Sequence, residues 1–336
     1  MRNLLFVIVG LAAALTKPAL SAEAPAADAA PPLTLVATIP LPDLKGSSNH
    51  LAVDTKRQRF FVTAPSEKKV MVVDLQAKKV LRVLDATPAA AAIFLPDLDL
   101  LCVSGGSGVA FFSGDSLARV GEVTLNSSVD ELQYDQKEKH LYVGVMDADK
   151  AGIAVIDVPT KALVTVLKLP FKPQGFVLEA GGPRVFASTP GGKQITVLDR
   201  VKRSVVAEWK LTEASSNYPV AIDESAHRLF VACRRPASVV VIDTSSGKTI
   251  AMSESGGDAD DMSFDPAGHR VYVACGDGMI TIVQQVDADH YRKLPNVPTR
   301  VGARNLLFAN DLKTLFVVLP RQGDASAELR SYDCLR

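Results

Sequence analysis

Aromatic residues make up only 6% of the chain, and there is a single tryptophan, Trp209. So sparse a set offers no stack of indoles to hold a planar redox cofactor, and none is expected. Cysteine is scarce as well. Cys102, Cys233, Cys275 and Cys334 form no CxxC pair and no CxxCH haem-attachment site. Neither sign of charge is in excess, with Lys+Arg 37 against Asp+Glu 37. That removes the electrostatic footprint of a general nucleic-acid or anionic-membrane binder. No G-x-S-x-G elbow is present. The glycine runs Gly105-Gly106-Ser107-Gly108 and Gly191-Gly192-Lys193 lack the GK[ST] ending of a phosphate loop, and they join strand to strand. They are expected to supply positive-φ hairpin turns.

Long apolar runs are missing too. The run from Leu4 to Leu15 falls short of the roughly 20 residues that span a bilayer. With Arg2 ahead of it and small residues behind, it reads as an export signal, cleaved after Ser21 or Ala22. The expected organisation is a signal at 1–22, an Ala/Pro-rich tether at 23–32 and one folded domain at 33–336. The expected location is periplasmic or secreted, with no transmembrane segment and a monomeric state.

The folded region is repetitive. LAVDTKRQRFFVTAP (51–65), LQYDQKEKHLYVGVM (132–146), VAIDESAHRLFVACR (220–234) and MSFDPAGHRVYVACG (262–276) share an alternating strand, a polar turn and a second, apolar strand. Weaker copies begin at 93, 176 and 306. The first apolar residues of the second strands are Phe60, Leu101, Leu141, Val185, Leu229, Val271 and Leu315, 40–44 residues apart. Seven units of that period, with two-residue alternation and no long 3.6-residue periodicity, indicate β-propeller blades. A third strand ending in Asp (Asp74, Asp157, Asp199, Asp243) and a fourth strand follow. Those aspartates suit turn capping better than catalysis. The last unit stops after its third strand, AELRSYD (327–333), and LTLVATIPL (33–41) is a strand without a blade. The N-terminal strand is therefore expected to complete blade seven of an all-β, seven-bladed propeller with four antiparallel strands per blade.

Residues 239–277 resemble the YVTN-repeat (YncE-like) propeller family. Val241-Ile242-Asp243-Thr244 and Val271-Tyr272-Val273-Ala274 match its V-I-D-T and Y-V-T-N strands. Elsewhere the Tyr position holds Phe61, Cys102, Phe186, Phe230 or Phe316, and the terminal Asn is nowhere retained. The resemblance implies architecture. It carries no single activity, because this fold hosts binding proteins, lactonases, lyases and quinoprotein subunits. Some YncE-like proteins are implicated in nucleic-acid binding, which the neutral charge here argues against.

Aligning the repeats brings the starts of the inner strands to one channel mouth. The polar set there is Asn49, His50, Asp130, Glu131, Gln174, Tyr218, Asp260, Asp261, Arg304 and Asn305. Loops between second and third strands add Arg234, Arg235 and Arg321, which with Arg300 and Arg304 suggest a basic patch for carboxylate or phosphate. The reading is a non-enzymatic binding protein for an unknown protein or small anionic ligand, with no cofactor and no catalytic constellation. The alternative is a metal-dependent, lactonase-like hydrolase, with Glu131, Asp261 and Asn305 around an ion and His50 or Asp130 as base. Blades three and six are not neighbours, which separates their acid pairs. His140, His227 and His269 are expected in hairpins of the opposite face, and His290 in the outer part of blade six. Cys102 reads as core and Cys334 as exposed. Cys233 and Cys275, equivalent in adjacent blades, sit too far apart to bond, so four free thiols are expected.

Overall fold

A computed structural model describes residues 31–86 and 89–334. The segments expected to be an export signal (1–22) and, for the most part, a tether (23–32) lie outside the described residues. The rest forms seven antiparallel sheets. Six contain sequence-consecutive strands. The seventh orders Thr34–Pro40, Glu328–Asp333, Thr314–Leu319 and Asn305–Ala309 from outside inward, so the N-terminal strand completes blade seven as expected. Blade six departs from the simple repeat. Its outer strand is broken into Tyr291–Lys293 and Val297–Pro298, both paired to Met279–Gln285.

The core lies between the blades. Seven apolar clusters fill the seven seams, each drawing on two adjacent blades. A second strand must therefore bury both faces, which is why it reads as an apolar run. In every blade the anchor residue faces the preceding seam and its successor faces the next. Phe60 packs into the seam of blades seven and one, Phe61 into that of blades one and two. Val271 and Tyr272 repeat the arrangement around blade six. The family's Tyr position is thus the wedge between one blade and the next, and Phe61, Phe186, Phe230, Tyr272 and Phe316 fill it with rings.

Outer strands carry a device the sequence pattern hid. The register slips by one residue at Val36, Leu81, Val120, Val164, Val206 and Ile250, the same place in six blades. Each bulged residue is an exposed apolar one. Bulges bend an edge strand away from foreign pairing, and every outer strand of a propeller is such an edge.

Turns follow the aspartate reading. Asp74, Asp199 and Asp243 each accept two backbone N–H bonds from the turn that follows, and Asp157 accepts that of Thr160. Asp54, Asp135, Asp223 and Asp265 do the same in the first hairpins. Gly105 and Gly106 have positive φ, but at Gly191-Gly192 the left-handed residue is Lys193, after a 3-10 turn at Pro190–Gly192. His227 and His269 occupy left-handed hairpin positions, whereas His140 opens the strand His140–Val145 and its neighbour Lys139 takes the turn. His290 lies in an exposed turn bonded to Asp287. All four cysteines are free and buried, Cys334 included, against its expected exposure. It packs with Tyr272 and Tyr332 in the seam of blades six and seven. Burial pushes the Cys233 thiol up to about 12 and raises Cys102 further, as befits unreactive core thiols. No helix among the described residues is long and apolar enough to cross a membrane.

Ile39 is 2% exposed in the seam of blades seven and one, while Val36 of the same strand is 60% exposed. Ile39→Ala should lower unfolding free energy by about 2–5 kcal/mol. Val36→Ala should change it by no more than about 0.5 kcal/mol, both read from urea denaturation.

Candidate ligand site at the channel mouth

All seven inner strands enter the channel from one end, which also carries the loops between second and third strands. This is the loop face; the first hairpins lie on the opposite, hairpin face. His50 sits two residues before the inner strand Ala52–Asp54. Its turn is pinned by Thr63, whose hydroxyl donates to the His50 carbonyl (3.2 Å) and accepts from the Asn49 N–H (3.1 Å). The His50 ring then reaches across the mouth. Nδ1 is 2.6 Å from Asp261 Oδ1 of blade six, and Nε2 is 3.8 Å from Asp130 Oδ1 of blade three. Asn49 Nδ2 donates to the same Asp130 oxygen at 3.2 Å. Asn305 Nδ2 of blade seven donates to Asp261 Oδ2 at 3.1 Å and is itself oriented by Ser48 Oγ, which donates to Asn305 Oδ1 at 3.0 Å. A continuous polar chain therefore links blades one, three, six and seven. The carboxylates of the non-adjacent blades three and six meet through an imidazole.

Glu131 ties blade three to blade four. Its Oε2 accepts the Phe176 N–H at 3.1 Å, and Gln133 donates to Oε1 at 3.4 Å. Gly175 sits beside it, where a Cβ would come within 2.6 Å of the Tyr218 carbonyl oxygen, so the close approach of blades four and five requires glycine. A void of about 10 Å³ remains between Asp130, Glu131, Met146 and Gln174, room for about one water.

A second group lies on blades five to seven. The Arg234 guanidinium stacks on Tyr218 with its carbon 3.7 Å from the ring centre. It bonds Asp260 (2.9 Å), Asp258 (3.1 Å) and the Ala259 carbonyl (2.9 Å). Arg304 pairs with Asp258 at 3.2 Å, and Arg300 with Glu328 at 2.9 Å. Three of the five arginines of the expected basic patch are thus neutralised by acids of the same face. Arg235 and Arg321 are exposed and stand outside this network, with no ion pair among the described residues. Asp258, Ser48 and Thr63 escaped the sequence reading. The run Asp258-Ala259-Asp260-Asp261 opposite Arg234 was the available signal for the first; nothing marked the other two.

Among the described residues, no three His, Cys, Asp or Glu side chains are grouped to hold a metal ion. Both Asp261 oxygens are committed, to His50 and Asn305, so Glu131, Asp261 and Asn305 do not form a cage. The electrostatics are those of a crowded acid cluster. Burial alone would lower the His50 pKa, but Asp261, Asp130 and Glu131 outweigh it and raise it well above the usual histidine range. Burial pushes Glu131 up to about 7, against the attraction of His50 and with repulsion from Asp261 and Asp130. Burial and repulsion from Asp261 push Asp260 up to about 6, against His50, Arg234 and Arg304.

Fold and site together define the class: a closed seven-bladed β-propeller with a polar chain bridging one mouth of its channel. No family profile matches the chain. The chain is similar to the uncharacterized protein YncE of Salmonella typhimurium and of Salmonella typhi, at 23% identity over 208 residues in each case. The match covers 60% of this chain and 57% of those relatives, little more than half their length. Among solved structures, it is similar to a chain of the mitotic checkpoint complex (TM-score 0.78, 14% identity, covering 100% of this chain and 99% of that one). It is also similar to Kuenenia stuttgartiensis hydrazine synthase (0.73, 19%, 82% and 93%) and to the β-propeller domain of Myceliophteria thermophila Cps50 (Swd1) (0.72, 13%, 90% and 100%). Likeness at these identities concerns the fold.

The folded-state pKa values of His50, Glu131 and Asp260 all lie above their unfolded values. Stability from each is full below the unfolded value and is lost as pH rises through the folded one. The thermal midpoint should therefore fall between about pH 4 and 7 as Asp260 and Glu131 ionise, and go on falling at higher pH as His50 loses its proton. Glu131→Gln should remove a part of the first fall worth on the order of 3 kcal/mol. Melting curves across pH check this, and nitrogen shifts of the His50 ring should report imidazolium at pH 7.

Proposed function

We propose that this chain is an exported, non-enzymatic binding protein that presents the loop face and channel mouth of its propeller to a protein or small anionic partner. The observation that carries the reading is the bonded polar chain at the mouth. The His50, Asp130 and Asp261 side chains are partnered by one another or by the amides of Asn49 and Asn305, with space for about one water beside them. Such an arrangement stiffens a surface and spends its polar groups on one another. Arg235, which follows the Tyr218-stacked Arg234 in the chain, and Arg321 of blade seven are exposed on the same face. Exposed guanidinium groups beside an aromatic anchor suit carboxylate or phosphate groups of a partner. The leader at residues 1–22 supports a periplasmic or secreted location. Metal-dependent lactonase-like hydrolysis finds less support, because Asp261 and Asn305 bond each other while Glu131 is taken by the Phe176 N–H and Gln133.

The test is capture from a periplasmic extract on immobilised protein. The Arg235→Glu/Arg321→Glu double variant should retain at least tenfold less of the captured partner, with its melting midpoint unchanged. A rise of several degrees on adding Ca²⁺, Zn²⁺ or Mn²⁺, reversed by EDTA and lost in Asp261→Ala, would instead favour the hydrolase, since a native-state ligand stabilises by mass action.

A further inference from the structure

On the hairpin face the inner strands of three consecutive blades enclose a recess of about 320 Å³, within the range of small-molecule sites. Blade one supplies Leu51 and Val53, blade two Ile93 and Phe94, and blade seven Leu307 and Phe308. All but Leu51 are only half-buried, so apolar surface is left to water inside a concavity. The aromatic residues are anchored from behind. Phe94 stacks on Phe61 with ring centres 6.0 Å apart, and Phe308 leans on Tyr272 at 5.7 Å. The walls are therefore set before anything binds, which lowers the entropy lost on association. The polar groups sit at the rim. Thr55 Oγ1 donates to Asp311 Oδ2 at 3.2 Å, and Asp311 has no ion pair among the described residues. A larger recess of about 750 Å³ on blades three and four differs in kind. It is lined by Asp135, Lys139 and Arg200, whose charges are held in ion pairs.

We propose that the recess of blades seven, one and two binds a small, flat, uncharged aromatic molecule that carries a hydrogen-bond donor on one edge. Rings anchored in the two blades that flank blade one match a flat apolar body. A charged body would lose its hydration against the apolar walls, since Lys56 and Asp311 are exposed groups of the rim, where water weakens any pairing. The donor follows from Asp311, which as a carboxylate only accepts. The site is independent of the loop-face reading and lies at the other end of the channel.

The probe is N-phenyl-1-naphthylamine, uncharged, aromatic and bearing one N–H. Wild-type protein should show a saturable fluorescence rise at one probe per chain. Leu307→Glu and Val53→Phe, the first charging the recess and the second filling it, should weaken binding at least tenfold. Asp311→Leu, a surface change that should leave the fold intact, should weaken it about three- to tenfold. Arg235→Glu on the loop face and Leu178→Glu in the larger recess should leave it unchanged. The proposal is overturned if wild type gives no saturable rise, if folded Leu307→Glu or Asp311→Leu binds as wild type, or if Leu178→Glu abolishes binding. Failure of partner capture by the loop face would leave this outcome unaffected.

Discussion

A ring of sheets has no free end, and here that condition rests on one strand. Thr34–Pro40 pairs with Glu328–Asp333 across nearly 300 residues of sequence. It also feeds both seams of the last blade. Leu33 packs with Tyr272, Leu315 and Tyr332 on one side, while Ile39, Leu41 and Leu44 pack with Phe60, Phe316 and Leu329 on the other. The Leu41 N–H continues the pairing to the Ala327 carbonyl at 2.8 Å. Each of the other seams joins blades that follow one another in the chain. Only this one joins the last blade to the first, so the loop-closure cost of the whole ring is met at a single strand.

Closure in turn fixes the channel mouth. His50 follows the closing segment by a few residues, and Ser48 and Asn49 lie between them. The polar chain from Ser48 through Asn305, Asp261 and His50 to Asp130 can form only if blade one stands in register with blades six and seven. The seam and the mouth are thus two layers of the same junction, apolar outside and polar within. Burial at the mouth raises Glu131 and Asp260, with repulsion from nearby acids added, whereas His50 is raised against its burial by the acids that blades three and six bring to it.

Much of this was legible in the sequence. The anchor spacing located every blade because burial on both faces forces an apolar pair, such as Leu229-Phe230, at each second strand. The aspartates announced their turns because a short carboxylate bonds amides two and three residues on. The outer bulges at Leu81 or Val164 were not legible, since an exposed apolar residue in a strand carries no mark of register. Nor was the fate of the arginines: Arg234 and Arg235 are adjacent in sequence, and the fold pairs one with Asp258 and Asp260 while leaving the other in solvent. The mouth residues were found by alignment of repeats, but their bonding pattern depends on distances across the channel that one-dimensional spacing does not hold.

Native-state hydrogen exchange of the closing strand tests this account most directly. If closure holds the ring together, the buried amides of Ile39 and Leu41 should exchange with the same free energy as those of core strands such as Arg228–Arg235, and both should follow denaturant as one cooperative unit. Exchange of Ile39 and Leu41 at a free energy several kcal/mol lower, with the remaining blades still protected, would contradict it and show a propeller that stands without its last strand.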